Sequence, residues 1–206
     1  MENKNKQKEI SRRGFLKTAT AIGAALTIQP TINKVKAANA TLNGESTSPT
    51  ISPKIQHRTL GSGRAAMEVS ALGFGVMGMT YNRSQHPDRK ECIRLLQEAV
   101  DHGVTLFDTA IVYGPLTNEL LAGEALSGFK NRISVTTKFG HEVIDGKSTG
   151  HQDSRPETIR RYCEESLRRL NIDSIPLFYQ HRFDKNVPIE DVAGTISDLI
   201  KEGKIQ

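Results

Sequence analysis

Apolar residues along this chain fall into two alternating patterns, one at helical spacing and one as short β-branched runs. Asp88 to His102 sets Cys92, Ile93, Leu96, Ala99 and Val100 on one helical face, with Gly103 placed to close the helix in the left-handed conformation. Val104 to Phe107 then reads as a strand, and Thr117 is placed to cap a helix through Leu126. Arg132 to Thr137 is the next strand. Ser154-x-x-Glu157 has the spacing of a capping box ahead of a helix whose stripe is Ile159, Cys163, Leu167 and Leu170. Ile175 to Tyr179 predicts another strand, and Ile189 to Lys201 another helix, ended by Gly203. Upstream, His57–Leu60 and Ala66–Val69 flank Gly61-Ser62-Gly63 as a hairpin, and Ala71 to Val76 continues as an apolar strand. A hairpin followed by four strand-plus-helix units predicts an α/β fold with a parallel sheet.

The N-terminal region breaks this pattern. A Lys-rich start leads through Ser11-Arg12-Arg13-Gly14-Phe15-Leu16-Lys17 into an apolar stretch, Thr18 to Ile28, and then to Val35-Lys36-Ala37 and Ala38-Asn39-Ala40. That is the order of a signal peptide, with cleavage expected near Ala37 or Ala40. The apolar stretch is about half of what a bilayer crossing needs, so no lasting membrane anchor is expected. Ser-Arg-Arg-x-Phe-Leu-Lys resembles the twin-arginine export motif, which implies the twin-arginine export machinery as a partner and a periplasmic location. Residues 41–54, rich in Ser, Thr and Pro without an apolar period, read as a flexible linker. The domain is expected to span residues 55–206.

Charge follows the same division. The 206 residues carry a formal +5, yet residues 1–40 hold eight Lys or Arg against two Asp or Glu, and the other 166 residues hold 20 against 21. A near-neutral body lacks the electrostatic footprint of a nucleic-acid binder. The two Cys lie on the expected buried stripes and read as small hydrophobes. The six His, at 57, 86, 102, 141, 151 and 181, show no metal-binding spacing.

Gly73-Phe74-Gly75-Val76-Met77-Gly78 matches G-x-G-x-x-G, but a Rossmann site needs a helix N-terminus directly after the glycines. Here a polar loop, Met79 to Pro87, delays the helix, and the glycines read instead as a strand end open to a bulky ligand. Four other residues carry chemistry. Asp108 and Tyr113 follow the Val104 strand, Lys138 follows the Arg132 strand, and His181 follows the Ile175 strand. In a parallel barrel such strand ends converge on one mouth. Together they suit carbonyl reduction, in which a proton must reach the carbonyl oxygen as a hydride reaches the carbon. Tyr is a natural donor whose ordinary pKa of about 10 is high for the task. A Lys cation about 4 Å away at an effective dielectric near 20 contributes roughly 4 kcal/mol, equivalent to about three pKa units. Asp108 would hold Lys138 charged and oriented, and His181 would position the substrate oxygen by a hydrogen bond.

These residues stand in stretches that closely resemble the aldo-keto reductase family. The matches are Val69–Gly75 with Met77-Gly78-Met79, Gly103–Ala110 with Tyr113-Gly114, Thr137-Lys138-Phe139-Gly140, and Tyr179-Gln180-His181-Arg182. The resemblance covers about Arg58 to Gln206. It implies a (β/α)₈ TIM barrel, NADPH as hydride donor, an aldehyde or ketone as substrate, and the tetrad Asp108, Tyr113, Lys138 and His181 as catalytic residues. It also implies that Gly78, Met79 and Asp108 lie at the nicotinamide.

Two departures qualify the resemblance. Ile175-Pro176-Leu177 stands where the family has an acidic residue, and Pro removes a ladder donor, so a disturbed strand start is expected. An eight-unit barrel takes about 200 to 250 residues, whereas four units precede Lys204-Ile205-Gln206, which reads as the approach to a fifth strand. The expectation is the N-terminal half of a barrel, C-terminally truncated relative to the family. Its tetrad reaches only the nicotinamide end, so this chain is expected to bind NADPH no better than about millimolar. The alternative reading is a catalytically incomplete half-barrel that acts only by association through its open edge. The export motif has its own test. Replacing Arg12 and Arg13 with Lys keeps the charge but loses the paired guanidinium geometry, and periplasmic yield in a fractionation assay should fall. Unchanged yield would remove the twin-arginine assignment.

Overall fold

The computed structural model describes residues 55–206. The signal peptide and linker assigned to 1–40 and 41–54 lie outside the described residues. Strands β1 (His57–Leu60) and β2 (Met67–Ser70) form the expected antiparallel hairpin, joined through a single 3-10 turn at Gly63–Ala65. The elements that follow are β3 (Gly73–Gly75), α1 (Arg89–Asp101), β4 (Leu106–Asp108), α2 (Thr117–Leu126), β5 (Ser134–Ile144), β6 (Lys147–Asp153), α3 (Pro156–Leu170), β7 (Phe178–Gln180) and α4 (Ile189–Lys201). Strands β3, β4, β5 and β7 pair side by side and parallel in chain order, and each is followed by a helix, in the case of β5 after the intervening β6. This is an α/β fold of the (β/α)₈ barrel type, of which the chain supplies the first four units. Ile205 adds a single parallel bridge to Ile175 and marks the start of a fifth stave. Among the described residues no helix is long and apolar enough to cross a membrane.

Local chemistry sets the element ends. The Asp88 carboxylate accepts from the Lys90 N–H and caps α1, and Gly103 at φ +90° turns the chain out of it. Two expected caps take another form. The residue before α2 is Leu116, in the left-handed region at φ +68°, and the Thr117 hydroxyl donates backward to the Gly114 carbonyl at 2.6 Å. The Ser154-x-x-Glu157 capping box does not form, because Pro156 starts α3 one residue after the Arg155 cap position. Ser154 instead gives its N–H to Asp184 at 2.9 Å, and the Asp153 carboxylate takes the Thr158 hydroxyl at 2.9 Å. Pro176 interrupts the last stave between Ile175 and Phe178, as its missing N–H requires.

One element escaped the sequence pattern. β5 does not end at Thr137 but continues to Ile144 and folds back antiparallel onto β6. The connection is Asp145-Gly146, both at positive φ (+49° and +71°), the conformation of a two-residue type I′ turn.

The helices pack the strands through two apolar clusters. Cys92, Leu96, Val100, Phe107, Leu121 and Leu126 lie in the first, and Ile159, Tyr162, Cys163, Phe178, Val192 and Leu199 in the second. Between them sits a buried charge. Glu119, fully enclosed on α2, accepts the Thr137 hydroxyl at 2.6 Å and the Arg169 Nε at 2.7 Å. α2 and α3 can approach this closely because residue 123 is glycine. A Cβ there would stand 2.1 Å from the Arg169 carbonyl oxygen. Arg169→Met, which leaves the Glu119 charge buried without its cation, should destabilise the fold by about 3–5 kcal/mol in urea unfolding. A change below about 1 kcal/mol would mean that water reaches this carboxylate on unfolding no more than it does in the native state.

Candidate active site

The parallel register brings four side chains to one end of the strands. Asp108 is the last residue of β4, Tyr113 lies in the β4–α2 loop, Lys138 is within β5, and His181 follows β7 directly. Lys138 thus sits on the strand itself, because β5 runs past it, rather than in a following loop. Its ammonium pairs with the Asp108 carboxylate and donates to the Thr109 carbonyl at 2.6 Å. The Thr136 hydroxyl fixes the other Asp108 oxygen at 2.8 Å. An ammonium has three donors, so one N–H of Lys138 is left without an acceptor among the described residues.

Tyr113 is held from three sides. Its ring stacks on Tyr81 (5.6 Å, 26°), lies 5.0 Å from the Lys138 Nζ, and meets the His181 ring edge-on (5.6 Å, 88°). The loop that carries it is itself anchored, since Thr109 to Tyr113 are all buried. Buried Asn118 accepts from the Thr109 hydroxyl at 2.6 Å and donates to the Val76 carbonyl and the Thr80 hydroxyl. The Tyr113 hydroxyl has no hydrogen bond to the described residues, which leaves it available to a ligand.

His181 is the neutral member of the group. Burial pushes its pKa down to about 4, helped by His141, Lys138 and Arg182 and opposed by Asp108. Its Nδ1 is buried without a hydrogen-bond partner. At neutral pH the ring therefore offers one N–H and one lone pair.

Of the glycine-strand residues, Gly75 is open, with nothing within 4 Å of where a Cβ would stand. Gly78 is covered, since a Cβ there would lie 2.6 Å from the Arg83 Nε. Met79 is buried in the first apolar cluster, so a ligand meets its backbone rather than its side chain. α1 begins only at Arg89, so the glycines do not lead into a helix N-terminus as a Rossmann site requires. A cleft of about 490 Å³, lined in part by Phe74, Gly75, Gly78 and Arg83, opens beside the end of β3. A second cavity of about 270 Å³, between Ile133, Leu170, Pro176 and Gln206, lies at the opposite ends of the strands, away from this chemistry.

Sequence reasoning missed two neighbours. Tyr179 pairs with Lys138 in the β5–β7 register, its ring 5.9 Å from Nζ, and burial raises its pKa. His141 stands beyond Lys138 on the β5–β6 hairpin, which Asp145-Gly146 could have announced.

Residues 71–206 match the family model described as the aldo/keto reductase family. The chain is 41% identical over 149 residues to "Probable aldo-keto reductase 1" of Glycine max, covering 70% of this chain and 42% of that protein. Among solved structures it is similar to the holo form of aldo-keto reductase AKR11C1 from Bacillus halodurans, with a TM-score of 0.65 and 31% identity over 73% of this chain and 48% of the other. The glycerol dehydrogenase AKR11B4 from Gluconobacter oxydans gives a TM-score of 0.60 and 31% identity, over 75% and 47%. The chain spans about half the length of these relatives.

The low pKa of His181 carries a stability consequence. Between its ordinary pKa of 6.5 and about 4, the unfolded chain binds a proton that the folded chain refuses, so stability should fall as pH drops through that window. His181→Gln should flatten this slope in urea titrations at stepped pH. An equal slope in the variant would place the proton uptake elsewhere.

Proposed function

The chain belongs to the aldo/keto reductase family, and on that premise we propose that it forms the proton-delivering half of an NADPH-dependent reductase of aldehydes or ketones. The observation that carries this reading is that the Tyr113 ring meets both the Lys138 cation and the neutral His181 ring. Tyr113 delivers the proton from its phenolic oxygen to the carbonyl oxygen. Lys138, charged and held by Asp108 and the Thr109 carbonyl, favours the negative charge that develops on that tyrosine oxygen. His181 donates its remaining N–H to the substrate oxygen and fixes the carbonyl for attack. Tyr81 and Tyr179 flank the site, the first stacked on the Tyr113 ring and the second beside the Lys138 ammonium.

The residues present fit a nicotinamide ring. Gly75 leaves a strand end without a side chain beside the cleft. When bound, the reduced nicotinamide supplies the hydride. Gly75, the backbone at Gly78 and Met79, and the Asp108 carboxylate are the groups on this chain that would border it. The preference for the phosphorylated dinucleotide rests on the resemblance.

Two further readings accompany this one. The Ser11–Lys17 motif supports export of the protein by the twin-arginine route to the periplasm. The edges at β3, which pairs with β4 alone among the described residues, and at Ile205 support association of this chain with a further barrel segment or a second copy.

In a spectrophotometric assay the purified chain should oxidise NADPH with a generic aldehyde, its specific activity rising with protein concentration where association completes the site. Tyr113→Phe should lower that rate by about 10²–10⁴ with an unchanged circular dichroism spectrum. A full rate in the variant would remove Tyr113 from the acid role.

A further inference from the structure

A histidine that must present one nitrogen to a ligand is ordinarily oriented by a hydrogen bond at the other. His181 lacks that support, because its Nδ1 is buried with no partner. Ring contacts hold it instead. The Tyr113 ring meets it at 5.6 Å and 88°, and the His141 ring meets it at 4.8 Å and 89°. His141 owes its place to the β5–β6 hairpin, where Gly140, at φ +102°, pairs with Asp153, and His141 pairs with Gln152. It is only partly buried, and its ring makes no hydrogen bond among the described residues.

We propose that His141 is a positioning residue of this site, its ring set edge-on against His181 to fix the plane in which the His181 imidazole meets the substrate oxygen. This rests on the reading of the site as a carbonyl reductase. The electrostatics agree with it. Burial and the Arg182 cation hold His141 below its ordinary pKa, so the two rings meet without charge repulsion at neutral pH. The charged and titratable groups acting on His181 are His141 and Lys138 from β5, Arg182 beside it and Asp108 from β4, and Asp108 alone favours its cation. A ring at position 141 that cannot be protonated would remove one source of positive charge and leave the burial.

The test uses the 206-residue chain with isotope-labelled histidines, followed by NMR, with the His181 signal assigned by its loss in His181→Gln. The native ring should titrate at about 4 and be rigid. His141→Phe keeps an aromatic edge and removes the charge. In it the His181 ring should stay rigid, as the retained edge contact requires. His141→Ala removes the contact, and the His181 ring order parameter should drop from about 0.85 to below about 0.6. If His141→Ala does not fold, His141→Val, which suits a strand position and presents no ring edge, gives the same readout. A rigid His181 ring in the Ala or Val variant would overturn the proposal. These readouts do not depend on turnover. Shifted ring behaviour in a chain that never reduces a carbonyl would count against the reductase reading and leave the ring contact standing.

Discussion

The enclosed carboxylate of Glu119 is the constraint on which the rest of this structure hangs. A charge with no solvent access must be matched within hydrogen-bond distance, and here the match comes from two other elements, Thr137 on β5 and Arg169 on α3. The three groups lock α2, β5 and α3 to a single relative position. Thr137 directly precedes Lys138, so the contact that closes the hydrophobic layer also sets the height of the ammonium at the mouth. The glycine at 123 is the steric counterpart, letting the two helix backbones come close enough for the pair to form.

Above that clamp the site separates charge from neutrality within a few ångströms. The Lys138 ammonium pairs with Asp108, which Thr136 holds in turn. His181, edge-on to the Tyr113 ring, is kept uncharged by burial and by the cations around it. In the proposed reaction, a tyrosine in contact with both a fixed cation and a neutral imidazole passes its proton to an oxygen that the imidazole also touches. The backbone loop from Thr109 to Leu116 is what permits this arrangement. It spans the gap between strand and helix with residues that are buried as far as Tyr113, and ends in a left-handed Leu116 that packs against the second apolar cluster. Strain at a single residue persists there because the surrounding packing over-determines it.

Much of this was legible in the chain itself. The apolar periods of Asp88–His102 and Ile189–Lys201 marked α1 and α4, and Gly103 and Gly203 marked their ends, because helix period and left-handed termination are local properties. The buried state of Cys92 and Cys163 followed from the same stripes. The β5–β6 hairpin was hidden for a different reason. Its strand residues, Lys147 to Asp153, are polar and largely exposed, so no apolar alternation announced them. The capping box failed because Pro156, with its fixed φ, claimed the first helical position.

The sequence by itself determined the alternation of strands and helices, the neutral body behind a basic N-terminus, and the residue types at the strand ends. Tertiary structure decided which of those residues touch. Asp108 meets Thr136 and Lys138, and Lys138 meets Tyr179, through registers between segments about 30 to 40 residues apart. Met79 turns into the core while its neighbouring glycine is roofed by Arg83, and His141 reaches His181 only through the strand extension. Periodicity fixes the face that a residue occupies on its own element. The partner on the next element depends on the stagger between two strands, which is set by packing across the whole layer and by buried polar groups such as Glu119 that tolerate only one alignment.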